Sequence, residues 1–323
     1  MKKQQQNSGD RALDAILRPK LWDEFIGQNT VKRSLRIMLD SAKKRNAVCD
    51  HILFFGPSGV GKTTLASLIA DELSGKITQT SGPAIKKTGD IAALLTNLEE
   101  NEILFIDEIH RMNKQVEEML YPAMESQKIN LIVGKGISAR NLELKLPRFT
   151  LIAATTKPSL ISSPLRNRFG AINHLDFYED KEIQQIIRRS SDLLHIKIQL
   201  PATEILAKAS RATPRIANRI LKRTWDLAVV NDLNEITKDL AQESLRILSI
   251  DKFGLEWADR KLMESIIKKY QGGPVGIQTL AAALNEERET IEQVYEPYLL
   301  KIGFLERTPR GRIATPTAKE YFS

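Results

Sequence analysis

The first half of the chain alternates short, continuous apolar runs with stretches of helical period. Ile52-Leu53-Phe54-Phe55, Ile103-Leu104-Phe105-Ile106 and Thr150-Leu151-Ile152-Ala153-Ala154-Thr155-Thr156 each read as a buried strand of a parallel sheet. Between the last two, Ile129, Leu131 and Val133, then Leu142, Leu144 and Leu146, alternate with polar residues on either side of Gly134 to Arg140. That period of two around a glycine-bearing turn predicts a β-hairpin.

From about Glu179 to Leu248 the period becomes helical: Ile183, Ile186 and Ile187 share one face, as do Ile216, Ile220 and Leu221. From about Asp251 three amphipathic helices follow, marked by Leu262, Ile266 and Ile267, by Ile277 to Leu284, and by Ile291, Val294, Tyr295, Tyr298 and Leu299. Two short strands, Phe304 to Arg307 and Arg312 to Thr315, then flank a turn at Pro309-Arg310-Gly311, the order of a winged helix. The pattern predicts an α/β parallel-sheet domain over 1–178, with 1–10 disordered, a small helical domain over 179–249 and a winged helix over 250–323.

The strand Ile52 to Phe55 runs into Gly56-Pro57-Ser58-Gly59-Val60-Gly61-Lys62-Thr63-Thr64, and helical period follows. This is the context a phosphate-binding loop requires. Its glycines let backbone N–H groups turn inward around phosphate oxygens, and the following helix points its positive dipole end at the anion. Gly59, Gly61, Lys62, Thr63 and Thr64 are thus candidate nucleotide ligands. Lys62 would reach the β- and γ-phosphates, and Thr63 would ligate Mg²⁺.

The second strand run ends in Asp107-Glu108. There Asp107 would hold the metal and Glu108 would act as general base on the attacking water. Asp107-Glu108-Ile109-His110 also has the form of the DEAH signature of two-lobed helicases, but no second set of alternating strands and helices follows residue 180. His110 therefore reads as a local hydrogen-bonding residue at a helix start. The third run ends in the hydroxyl residues Thr155 and Thr156, and a polar group at that strand end could hold the attacking water or read the γ-phosphate. Arginines stand beside breakers in Ser162-Ser163-Pro164-Leu165-Arg166-Asn167-Arg168-Phe169 and in Ala212-Thr213-Pro214-Arg215.

In this order the parts are those of the AAA+ ATPases, and over nearly its whole length the chain resembles the RuvB family of Holliday junction branch-migration motors. The likeness is carried by Arg18-Pro19 with Phe25-Ile26-Gly27-Gln28, Thr80-Ser81-Gly82-Pro83-Ala84-Ile85, Leu94-Leu95-Thr96-Asn97-Leu98-Glu99, Leu120-Tyr121-Pro122-Ala123-Met124-Glu125, Gly272-Gly273-Pro274-Val275-Gly276 and Gly303 to Arg312. The resemblance implies an ATP- and Mg²⁺-dependent translocase on duplex DNA at Holliday junctions. It also implies a homo-oligomeric, hexameric ring, a RuvA-like junction-binding partner and a RuvC-like resolvase as a further one.

On matching residues, the resemblance makes Arg168 the finger offered to a neighbouring subunit, with Arg166 its rival, Arg215 the sensor on a helical lid and Thr155 the strand-end sensor. Leu17, Arg18 and Tyr178 fall on the base and sugar side of the nucleotide. The hairpin becomes a RuvA-docking element with Ile137 at its tip; the alternative is a hairpin packed wholly on its own domain. Arg288, Arg307, Arg310 and Arg312 become phosphate contacts on DNA, against the alternative of a solvated basic turn. The chain departs from the family in Ser58 and Val60, in Ala212 where glycine is usual, and in Asn167 where an acid is common beside the finger.

Composition narrows the classes without choosing among them. The 323 residues suffice for two or three domains, and a net charge of +8 favours polyanionic partners. A single cysteine excludes an internal disulfide, and four scattered histidines offer no metal-ligand spacing. The N-terminus lacks the apolar core of a secretion signal and no run has the length of a membrane span, so the expectation is a cytoplasmic protein without a membrane. A clamp-loader-like assembly switch and a non-catalytic DNA-binding regulator are the alternatives from other classes, and the intact acidic pair weighs against the second.

Overall fold

The computed structural model describes residues 16–73, 75–133 and 140–323. They form two compact units, Arg18–Asp176 and a second made of Phe177–Ser323 with Ile16 and Leu17. The first boundary thus falls after Asp176, and the segments expected as lid and winged helix cluster together.

In the first unit, β1 (Ile52–Phe55), β2 (Ile77–Ser81), β3 (Glu102–Asp107), β6 (Phe149–Thr155) and β7 (Ala171–His174) make a parallel sheet in the order β2-β3-β6-β1-β7. The apolar runs account for its centre: Ile52, Leu53, Phe54, Ile103, Leu104, Ile106, Leu151 and Ile152 are all fully buried. Strands covered on both faces need no polar alternation. Placing β1 between β6 and β7 brings the ends of β1, β3 and β6 side by side, and ligands of open α/β sheets bind beyond such strand ends.

The hairpin is antiparallel, β4 (Lys128–Val133) against β5 (Arg140–Lys145), with Ile129 opposite Leu144 and Leu131 opposite Leu142. Ile129 is buried and Leu142 is 47% exposed, so the apolar face emerges from the core toward the turn. Ile137 lies outside the described residues.

The second unit begins with a helical bundle of Asp180–Leu193, Leu200–Lys208, Pro214–Val230 and Lys238–Ile247, closed by a short parallel pair, β8 (Lys197–Ile198) with β9 (Glu235–Ile236). The winged helix follows: Trp257–Glu264, Ile277–Leu284, a third helical segment over 288–301, and β10 (Leu305–Thr308) antiparallel to β11 (Gly311–Ala314). The third segment departs from the simple amphipathic expectation. It passes through a wide turn at Ile291–Tyr295, in which the Glu296 N–H bonds back five residues to Ile291, just before Pro297. Proline donates no hydrogen bond and disturbs the ladder behind it. The extra residue shifts the phase, leaving Ile291, Tyr298 and Leu299 in the core and Val294 55% exposed.

Candidate functional site

The phosphate loop is shaped by backbone. Gly56, Gly59 and Gly61 have φ of 145°, 82° and 102°, values that L side chains rarely adopt. No side chain caps the helix Lys62–Glu72, an arrangement in which first-turn N–H groups and the helix dipole favour an anion. Lys62 is buried, and its ammonium donates to the carbonyls of Gly56 at 2.8 Å and Pro57 at 2.7 Å. Thr63 and Thr64 are half-buried in the first helical turn. A Cβ on Gly56 would stand 2.0 Å from the Leu175 carbonyl oxygen. Gly56→Ala is therefore expected to lower stability by about 1–3 kcal/mol and to weaken nucleotide binding, read by equilibrium denaturation and by nucleotide titration. A variant unchanged in both would show that the loop has slack at this point.

Beside the loop, β3 ends at Asp107, whose Oδ1 accepts from the Glu108 N–H at 2.9 Å. Glu108 then adopts left-handed backbone, φ 49° and ψ 45°, which turns the chain sharply off the strand. Its carbonyl oxygen sits so close to Gly82 that a Cβ there would be 2.4 Å away. This contact gives the glycine of the Ser81-Gly82-Pro83 turn a physical reason: only a residue without a side chain lets the two segments meet.

Glu108 Oε2 accepts from Thr156 Oγ1 at 3.2 Å and lies 3.3 Å from His110 Nδ1. Burial pushes the Glu108 carboxyl above its ordinary range and the Asp107 charge adds to this, while the charge of Lys62, the Thr156 hydrogen bond and the charge of Arg111 oppose it. Lys62, Asp107 and Glu108 thus share one electrostatic neighbourhood, and a carboxylate of raised pKa is the stronger base.

His110, expected as a local residue, is more deeply engaged. Its side chain is 2% exposed, and Nδ1 lies 2.8 Å from Thr155 Oγ1 as well as beside Glu108. Thr155 is fully buried and its hydroxyl also accepts from the Lys157 N–H at 2.9 Å. The neighbouring Thr156 is the hydroxyl that reaches Glu108. Thr156 stands just beyond the end of β6, and no local signal in the sequence separates the roles of these two threonines.

The arginines occupy different settings. Arg168, 21% exposed, pairs with Glu125 at 2.9 Å, donates from Nη1 to the Pro164 carbonyl at 2.7 Å, and lies 4.5 Å from the centroid of the Tyr121 ring. Arg166 donates to the Pro158 carbonyl. Arg18 is half-buried in the same unit. Leu17, Tyr178 and Arg215 belong to the second unit: the Leu17 carbonyl accepts from Arg189, the Tyr178 N–H donates to Ala212, and Arg215 is exposed at the start of the helix Pro214–Val230.

The basic wing is bound into a network. Fully buried Glu296 accepts from Arg307 Nε at 2.7 Å and from Arg312 Nε at 2.6 Å. Arg288 pairs with Glu292 at 3.1 Å, and Glu292 also faces Arg312 at 3.5 Å. Arg312 is 14% exposed, so it fastens the wing to the third helical segment as much as it offers charge. Arg307 is 49% exposed. Arg310, at the turn, is exposed. Glu292 and Glu296 lie too far along the chain from the wing for the sequence to reveal the pairing.

The donors beside the loop suit magnesium: a carboxylate at Asp107 and a hydroxyl at Thr63 are hard oxygens, and this ion usually takes only one or two protein ligands with phosphate and water. Among the described residues, no group of three metal-ligating side chains converges. No described helix is long and apolar enough to cross a membrane.

Three family models cover the chain almost end to end. Residues 17–175 match the Holliday junction DNA helicase RuvB P-loop domain, 178–251 the RuvB AAA lid domain, and 252–323 the RuvB C-terminal winged helix domain. Among solved structures, the Thermotoga maritima RuvB Holliday junction branch migration motor is 50% identical, with a TM-score of 0.87 over 95% of this chain and 98% of that one. A point mutant of the same Thermotoga maritima protein is 50% identical, with a TM-score of 0.88 over 94% of this chain and 97% of that one.

Proposed function

The chain belongs to the RuvB family of P-loop AAA+ ATPases, and from that premise we propose that it is an ATP-driven translocase that moves duplex DNA through Holliday junctions during recombination and repair. The observation that carries the chemistry is the convergence of the Lys62, Asp107 and Glu108 charges beside a positive-φ glycine loop. In this reading Gly59, Gly61, Lys62, Thr63 and Thr64 hold the phosphates, and Leu17, Arg18 and Tyr178 take the base and sugar. Thr63 and Asp107 hold Mg²⁺, which supplies charge neutralisation on the phosphates when bound.

Glu108 accepts the proton of the attacking water. Thr156 and His110 fix the carboxylate, and Thr155 fixes His110. Arg168 is the finger given to the neighbouring subunit and Arg215 the lid's sensor, so a homo-oligomeric ring, six subunits in this proposal, is part of the active enzyme. A RuvA-like protein, engaged by the hairpin tip at Ile137, brings specificity for the junction, and a RuvC-like resolvase acts on the same substrate. The protein works in the cytoplasm.

On the wing, Arg310 and the exposed side of Arg307 meet backbone phosphates, with Arg288 and Arg312 supporting them through Glu292 and Glu296. Such contacts hold any sequence, as a translocating motor requires. Arg310→Ala is expected to weaken duplex binding uniformly across sequences and to reduce the log–log salt slope by about one. Fluorescence anisotropy at several salt concentrations measures this. An unchanged slope would remove Arg310 from the contact set.

The function itself is tested by mixing the protein, a RuvA-type partner, ATP, Mg²⁺ and a synthetic four-way junction. Sustained ATP-dependent arm exchange is the expected result. Nucleotide-dependent binding without exchange would favour the assembly-switch alternative.

A further inference from the structure

We propose that Arg211 is a positioning residue that fastens the lid to the winged-helix head, so that the head follows the lid's movement. The inference rests on reading the chain as an ATP-driven DNA motor and adds the residue through which movement is passed on.

Arg211 stands in the turn between the lid helices Leu200–Lys208 and Pro214–Val230 and is only 7% exposed. Its guanidinium reaches across to the head at three points. Nη1 donates to the Asp259 carboxylate, Nη2 donates to the Val294 carbonyl at 3.0 Å, and the group lies 4.9 Å from the centroid of the Tyr298 ring. Asp259 is 1% exposed and sits in the first helix of the head, where its Oδ2 also accepts from the Glu256 N–H at 2.9 Å. Val294 lies in the wide turn of the third helical segment. One planar side chain from the lid therefore grips two separate elements of the head, a task suited to a forked, permanently charged group.

A second ion pair at the same boundary is weaker by its setting. Arg219 pairs with Glu256 at 2.7 Å, but the two side chains are 48% and 46% exposed, and an ion pair in water contributes little. Burial pushes the Asp259 carboxyl up, and the Arg211 charge and the Glu256 amide draw it back, so the carboxylate depends on its partner. Removing one member of such a pair leaves the other charge buried alone.

The backbone at this point links the anchor to the nucleotide side. Arg211 and Ala212 are both left-handed, each with φ of 52°. The Ala212 carbonyl accepts from the Tyr178 N–H at 3.0 Å, and Thr213 then opens the helix that carries Arg215. No slack stretch separates Arg211 from Arg215, so a displacement of the sensing arginine moves the anchor with it.

The test places spin labels on the lid at Val230→Cys and on the head at Glu306→Cys, both exposed positions, and compares intact protein with Arg211→Ala and Arg211→Lys. The native Cys49 does not compete, being buried with its thiol pushed up to about 11 by desolvation and the Asp50 charge. A narrow lid-to-head distance distribution is expected with Arg211 and a broad one with Arg211→Ala. In unlabelled protein, ATP hydrolysis by that variant should persist while junction arms moved per ATP fall about tenfold or more, the scale on which losing one member of a buried pair shifts a two-state equilibrium.

Arg211→Lys keeps the charge but cannot reach both Asp259 and Val294, so it should fall between, and it serves where Arg211→Ala does not fold. A distribution that stays narrow, or arm movement that keeps its stoichiometry, overturns the proposal. So does hydrolysis that falls in proportion to movement, which marks a purely structural role. If intact protein moves no junction, the motor reading fails, and the distance distributions alone judge the joint.

Discussion

Replacing Glu108 with glutamine should leave nucleotide binding in place and stop turnover, with hydrolysis falling by about 10²–10⁴. Glutamine matches the side chain in size and still accepts a hydrogen bond from Thr156, so the left-handed turn at Glu108 and the approach to Gly82 are kept. What disappears is the ability to take a proton. The carboxylate suits that task because burial and the Asp107 charge raise its basicity, while Lys62, Thr156 and Arg111 hold part of the shift back. Single-turnover phosphate release and an equilibrium nucleotide titration separate the two effects. Hydrolysis retained at the normal rate would remove Glu108 from the mechanism; lost binding would show that its role lies in holding the loop.

Arg168→Ala should depress hydrolysis by the assembled protein by about 10³–10⁵, the range reported for arginines that neutralise transition-state charge on a transferring phosphoryl group. In the isolated chain Arg168 is held by Glu125, the Pro164 carbonyl and the Tyr121 face. In the proposed service to a neighbour, Arg168 would exchange these contacts for phosphate, so the Tyr121 and Glu125 side chains of the helix Lys114–Ser126 would set where the finger starts. Mixing tests action between subunits. Arg168→Ala has an intact loop but no finger, whereas Lys62→Ala has a finger but a damaged loop, so the two together should recover part of the lost activity. No recovery would place the arginine's action within its own subunit. Arg166→Ala should have a much smaller effect, and the reverse ranking would exchange the two assignments.

The legibility of these sites follows from how far apart in sequence their causes lie. The phosphate loop, the acidic strand end and the wing were readable because strand runs, glycine turns and helical periods are set within a few neighbouring residues. Val294 illustrates the limit even of a local signal: its spacing placed it on the apolar face, and the wide turn before Pro297 rotated it outward.

By itself the sequence determined an α/β phosphate-loop domain, a helical segment and a winged helix, together with the residue types that nucleotide chemistry needs. Only tertiary structure decided that Thr156 touches Glu108 while Thr155 holds His110, that Glu296 binds two wing arginines, and that Arg211 crosses to Asp259. The physical reason is that a charge or hydroxyl carries no mark of its distant partner. Such pairs are chosen when the closing of long loops and the packing of apolar faces bring particular strand ends and helix starts together, and burial then makes each unpaired polar group costly.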